Sequence, residues 1–149
     1  MQLHLDGSNT INAPMDTVFN LLTDTSFLAK TIPDAEDVRV VDDKTLEAKV
    51  KVRVAVVSSK LNVKMTIASV EPPSKATLTV QASGAGSSMS IKSVFDLSGS
   101  SPTTMKWGAD AEITGVMAGM GSGLLKGFAS KKVAEIFTGI TKAIEDSAG

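Results

Sequence analysis

The stretch MKWGADAEITGVMAGMGSGLLKGFASKKVAEIFTGITKAIED, residues 105–146, changes its period partway along. In its first part Met105, Trp107, Ala109, Ala111 and Ile113 alternate with polar residues or glycine, the pattern of a β-strand with one apolar face. Beyond a glycine-rich join, Met120, Leu124, Phe128, Val133, Ile136, Phe137, Ile140 and Ile144 recur at helical spacing. They predict a helix from about Ala118 to Asp146, which at 1.5 Å per residue would run ~40 Å. A strand with one apolar face and a long amphipathic helix must each bury that face, and each can do so against the other.

Working back from this pair, the period of two governs most of the chain. In Thr45–Val57, Leu46, Ala48, Val50, Val52, Val54 and Val56 fall on one face, with Glu47, Lys49, Lys51 and Arg53 on the other. Leu61, Val63, Met65 and Ile67 repeat the pattern. Ser58-Ser59 reads as the turn between them, which sets Val56 against Leu61, Val54 against Val63, Val52 against Met65 and Lys64 against Arg53. Val70-Glu71-Pro72-Pro73 closes that strand, because proline has no N–H for a central ladder. Further strands are expected around Leu78 and Val80, at Met89 to Leu97, at Glu36 to Val41, and at Gln2 to Ile11. Between the first strand and the rest, Pro14 at a first helical position and Asp16 in the first turn predict a short helix. A second short helix, about Ser26 to Thr31, stops before Pro33. The expected class is α+β, in one domain spanning 1–149. A curved antiparallel sheet of about seven strands wraps a long C-terminal helix, and two short helices follow the first strand.

Composition narrows the function. The chain has 149 residues, a formal net charge of −1, five phenylalanines, one tryptophan and no tyrosine. That balance gives neither a basic field nor a stacking platform for nucleic acid, so no nucleic-acid partner is expected. With no cysteine, disulfide, thiol and thiolate-metal chemistry are excluded. The N-terminus has no basic region leading into an apolar run. The longest mainly apolar window, Val116 to Ala129, is broken by Lys126 and falls short of the ~20 residues of a spanning helix. The expectation is a soluble, cytoplasmic protein.

No catalytic set converges. The single histidine, His4, faces away from Leu3 and Leu5, and Glu47, Asp96, Asp110 and Glu112 fall on the outer face of their strands. Acid–base catalysis needs such groups in the pocket, and no nucleophile elbow or metal-ligand spacing stands in their place. The protein is expected not to be an enzyme and to hold no metal. The glycine-rich join GVMAGMGSGLLKG, residues 115–127, fits neither a dinucleotide fingerprint nor a phosphate loop. Two readings of its glycines stay open: close packing of the helix, or a first turn that opens easily. The inward alanines Ala48, Ala76, Ala82, Ala109 and Ala111 are likewise compatible with a filled core or with a cavity.

Three stretches, APMDTVFNLLTDTSFLAKTIPDAE, VEPPSKATLTVQASGAG and MKWGADAEITGVMAGMGSGLL, carry a family resemblance. In that order they resemble the CoxG family, named for a subunit of carbon monoxide dehydrogenase, within the START-like (SRPBCC) helix-grip superfamily. The resemblance covers essentially the whole chain. Two features depart from the pattern: Pro33-Asp34-Ala35 stands where members often have Pro-Gly-Cys, and the C-terminal membrane segment of some members is missing before Gly149.

The resemblance implies an apolar cavity between sheet and helix that takes a lipid or quinone as ligand rather than a cofactor. It implies Val52, Val54, Met65, Leu78, Met89, Phe95, Trp107, Ala109 and Phe128 as lining. On the reading in which its first turn opens easily, the glycine-rich join is the gate of that cavity, with Val116, Met117, Met120 and Leu124 as an adaptable lip. The resemblance also implies partnership with a molybdenum hydroxylase complex and a peripheral contact at the inner face of the membrane. Two other readings remain at this point. One is a cyclase or dehydratase acting on small polyketide-like substrates, and the other is a protein that remodels a client without any ligand.

Overall fold

The computed structural model describes residues 1–149 except Pro33, Ala55, Val56, Ala85 and Gly149, with backbone alone at Val54, Val57 and Ala148. Seven strands form one antiparallel sheet: β1 Gln2–Ile11, β2 Ala35–Val40, β3 Thr45–Val54, β4 Val57–Glu71, β5 Lys75–Gly84, β6 Ser87–Ser98 and β7 Thr103–Gly115. Their order is β1-β7-β6-β5-β4-β3-β2, so the first strand lies beside the last and consecutive strands neighbour each other elsewhere. The helices are α1 Met15–Leu22, α2 Thr25–Ala29 and α3 Ser122–Ala148, with a 3₁₀ turn at Val116–Met120 before α3.

Local chemistry sets the boundaries. Pro14 is the N-cap of α1 rather than its first helical residue, one position earlier than the sequence suggested. Asp24 caps α2 by accepting hydrogen bonds from the N–H groups of Ser26 (2.9 Å) and Phe27 (3.4 Å), which satisfies donors that a helix start leaves unpaired. Buried Thr103 donates to the Ala13 carbonyl at 2.8 Å, and the Met15 N–H donates to Ser100 Oγ at 3.1 Å. These bonds pin the start of α1 onto the β6–β7 connection.

The β3–β4 pairing corrects the expected turn. Val54 pairs with Val57, Val50 with Leu61, Ala48 with Val63 and Leu46 with Met65, while Ser58 and Ser59 lie inside β4. The predicted partner Val56 lies outside the described residues. Lys64 therefore faces Glu47 and not Arg53, and the like-charged pair is Lys51 with Lys60. Glu36 on β2 offsets that repulsion, at 2.9 Å from Lys51 and 3.0 Å from Lys60. Arg39 pairs with Glu47 at 3.1 Å, so the basic outer face is compensated along much of its length.

The helical period also begins later than predicted. Gly121, at φ +94°, separates the 3₁₀ turn from α3. That left-handed backbone is open to glycine at little cost. Gly115 stands at φ +90°, and a Cβ there would strike the Gly86 carbonyl, so glycine is required on two grounds.

Candidate functional site

The inner face of the sheet is packed at both ends and incompletely covered between them. At one end Ile11, Leu46, Ile67, Leu78, Phe95, Leu97 and Met105 pack with α1, α2 and Phe137, Ile140 and Ile144 of α3. At the other, Leu3 and Ile113 pack with Met117 and Leu125, and Met89, Met120 and Phe128 are partly buried against them. Between these ends a row of opposed residues, Ala111, Ile91, Val80 and Met65, crosses four strands, and all four are half-buried. Val50, Val52, Val63 and Ala109 are half-buried too, whereas Leu46, Leu78 and Phe95 on the same sheet are buried. Ile91, Val80, Val50, Val52, Val63 and Ala109 belong to neither packed cluster, so they form the least tightly covered part of the apolar face.

The placement of α3 explains the opening. Its close backbone neighbours are β1, the 3₁₀ turn and α1, and among the described residues no comparable approach to β3–β6 occurs. Its tie to the middle of the sheet is aromatic. Phe137 stacks on Trp107 with ring centroids 4.7 Å apart and meets Phe95 edge-on at 5.7 Å. Trp107 Nε1 donates to Asn9 Oδ1 at 3.2 Å, which fixes the indole across β1.

Set against this face, the residues implied as lining fall into groups. Leu78 and Phe95 are buried in the larger packed end, and Met65 and Trp107 lean on it. Met89 and Phe128 lean on the smaller end, and Val52 and Ala109 are half-buried on the inner face. Val54 is in β3, and its side chain is not described. In the lip, Met117 is buried and Met120 partly so, while Val116 and Leu124 are 60% and 47% exposed. The lip is anchored where the Met117 N–H donates to the buried Ser87 Oγ at 2.9 Å.

Close packing does not account for the glycines beside the lip. A Cβ built at Gly119, Gly121, Gly123 or Gly127 would meet nothing within 4 Å. Those positions face open space, so the packing reading of this stripe is overturned there.

The sheet also carries surface clefts. Two, of about 650 and 590 Å³, lie on the convex face of the sheet among side chains such as Lys49, Asn62, Lys64 and Gln81. They are shallow grooves that outward polar side chains share with parts of Val63, Met89, Val80, Ile91 and Ala111. His4 stands on that convex side, 2.7 Å from Asp110 and 3.0 Å from Asp6. Its hydrogen bond to Asp110, then that to Asp6, holds its pKa above the ordinary value.

One residue of the inner face escaped the sequence reading. Lys132 lies in the inward stripe of α3 between Phe128 and Ile136, and its side chain is 24% exposed. The helical spacing alone would have flagged a charged residue in an apolar stripe. A third cleft, of about 520 Å³, opens between Lys132 and the β3–β4 hairpin.

Comparison with known proteins places this architecture. A family model described as the CoxG subunit of carbon monoxide dehydrogenase matches residues 7–145. A crystal structure of a conserved protein from Geobacillus kaustophilus superposes with a TM-score of 0.86 at 24% identity, covering 99% of this chain and 98% of that one. The aromatase/cyclase Zhui from Streptomyces sp. R1128 superposes at 0.66 with 13% identity, covering 97% and 94%. Norcoclaurine synthase from Thalictrum flavum does so at 0.64 with 12% identity, covering 100% and 98%. At these identities the likeness is one of fold, the helix-grip arrangement of a curved sheet and a long helix. No curated protein sequence matches the chain.

Proposed function

The chain belongs to the CoxG family, named for a subunit of carbon monoxide dehydrogenase, and we propose that it carries a hydrophobic ligand, a lipid or quinone, without acting on it chemically. The observation that carries this reading is the half-buried apolar row Ala111, Ile91, Val80 and Met65, on a sheet that α3 approaches closely, among the described residues, at β1. Apolar surface left in water at the centre of a fold is costly at about 25 cal/mol per Å². A bound chain or ring would remove that cost. Met65 and Met89 border the opening, and methionine adapts its shape to ligands of different outline.

The same row speaks against positioned acid–base chemistry. Polar side chains reaching the inner face between the packed ends include Asn9, Ser93 and Lys132. Asn9 is occupied by Trp107, and Lys132 is held as an ammonium by its carboxylate partners, so it is a poor proton acceptor. The family name supports a finer proposal: that the carrier serves a molybdenum hydroxylase of the carbon monoxide dehydrogenase type, at the inner membrane surface or at its quinone acceptor. No helix among the described residues is long and apolar enough to cross a membrane, so contact of these residues with the bilayer would be peripheral.

Native mass spectrometry after gentle extraction tests the reading. The expected result is a copurifying lipid or quinone that a competing hydrophobe displaces and that Ala109→Phe, which plugs the opening, excludes. An empty protein with no affinity for quinones, fatty acids or phospholipids would sink it.

A further inference from the structure

The inward stripe of α3 runs Leu125, Phe128, Ala129, Lys132, Val133, Ile136, Phe137, Ile140 and Ile144, and its members are buried or half-buried. Lys132 stands in the middle of this stripe, at the level of the uncovered row of the sheet. Its Nζ lies 5.9 Å from the centroid of the Phe128 ring, 3.2 Å from Asp34 Oδ2 and 3.3 Å from Glu135 Oε2. A lysine so placed lays its methylenes on apolar surface and sends its charge to the nearest opening. That opening is the third cleft, of about 520 Å³, lined by Asp34, Lys51, Val52, Arg53, Lys60 and Lys132 among others.

The charge balance there is lopsided. Among the described residues, four cations and one carboxylate line the cleft. Beside it Glu36 is shared between Lys51 and Lys60, and Glu135 is paired with Lys132. Val52, in the same cleft, is half-buried on the apolar face of β3, which runs on through Val50 and Ala48 to Leu46, the partner of Met65. Burial pushes the Lys132 ammonium down, but the hydrogen bonds to Asp34 and Glu135 outweigh it and leave its pKa raised. The charge is therefore present at neutral pH.

We propose that this cleft is the mouth of the ligand site and that Lys132 selects an amphipathic ligand with an anionic head. A carboxylate or phosphate exchanges for Asp34 on Lys132, and the tail runs past Val52 along the inner face. This rests on the carrier reading and narrows it from any hydrophobe to single-chain lipids carrying a negative head. Asp34 is the counter-ion that keeps the lysine solvated when the site is empty. It is 56% exposed and free to swing away.

Equilibrium binding of palmitate, hexadecyl phosphate and hexadecanol, each below its aggregation concentration, tests the assignment. The wild type should prefer one or both anionic ligands to the alcohol by about tenfold, and which anion leads separates a carboxylate from a phosphate head. Lys132→Gln should abolish that preference while hexadecanol binding stays unchanged. Lys132→Arg should restore it, and Asp34→Asn should raise affinity for the anions. Equal binding of the three ligands by the wild type, or a preference that survives Lys132→Gln, overturns the proposal and leaves the carrier reading standing. Failure of all three to bind overturns the proposal, and the carrier reading falls with it only if quinones and phospholipids fail to bind as well.

Discussion

Gly7 is glycine because Trp107 lies across it. A Cβ at that position would come 2.7 Å from Cζ2 of the indole, which Phe137 and Asn9 hold from two other sides. Gly7→Ala must therefore displace the ring or bend β1. It should cost about 1–3 kcal/mol in urea denaturation, with a change in tryptophan emission that marks the indole as the group that moved. His4 gives a second local prediction, with its sign fixed by linkage. Its folded pKa is raised, by Asp110 first and Asp6 second. Its stabilising effect is thus complete below the ordinary value near ~6.5 and is lost as pH rises through the raised one. Wild type should melt above His4→Gln in mildly acidic buffer and converge with it in alkali. A constant difference at all pH values would exclude the titration. The outward face of His4, and Asp6 beside it two residues on, could be read from the alternation of β1, but Asp110 could not, since pairing β1 with β7 joins residues 106 positions apart.

At the scale of elements, α3 is the informative case. Its period was legible, and so was the glycine-rich join, but the purpose of the glycines was not. Sequence cannot distinguish a glycine that makes room for a neighbour from one that faces water. Gly127 lies inside the helix with open space beside it. Gly127→Ala should therefore stabilise the protein by up to about 1 kcal/mol, and Gly123→Ala by less because it lies in the first turn. Gly121→Ala should instead destabilise by about 1–2 kcal/mol, because its φ of +94° is unfavourable for a side chain. Chemical denaturation of the three variants checks both directions. If the first turns of α3 open to admit ligand, Gly127→Ala should also slow uptake in stopped-flow measurements. The β3–β4 hairpin carries the complementary lesson. Met65 faces Leu46 rather than the predicted Val52. Alternation fixes only which face a residue takes, and a shift by an even number leaves every apolar side chain inward. Two serines looked like a turn, yet the pairing of Val54 with Val57 places them in the strand.

For the whole molecule, the carrier reading proposed above makes stability depend on the ligand. A ligand that binds only the folded chain, at a hundredfold its Kd, adds about 2.7 kcal/mol. For a domain of this size that is roughly 5–10 °C in Tm. Delipidated protein should melt lower by that margin and recover on adding back the native ligand, as read by scanning calorimetry. The architecture was legible because its determinants are periodic: alternation for the strands, helical spacing for α3, and a switch between them near Gly115. The site was only half legible. Its apolar lining follows from the same alternation, but the gap between helix and sheet depends on how far α3 stands off, which no local pattern encodes. Lys132 became visible as a site residue only once the β3–β4 hairpin stood across from it.

The pairing of β1 with β7 also sets a timetable. Gln2 meets Glu112, so the sheet cannot be completed until the chain has grown past its last strand. At ribosomal speeds of roughly 5–20 residues per second, β1 waits on the order of ten seconds for its strand neighbour. The helix that shelters the apolar face emerges later still. During that interval the nascent chain exposes an apolar half-sheet, and slower elongation lengthens the exposure. Production should therefore tolerate fast elongation better than slow.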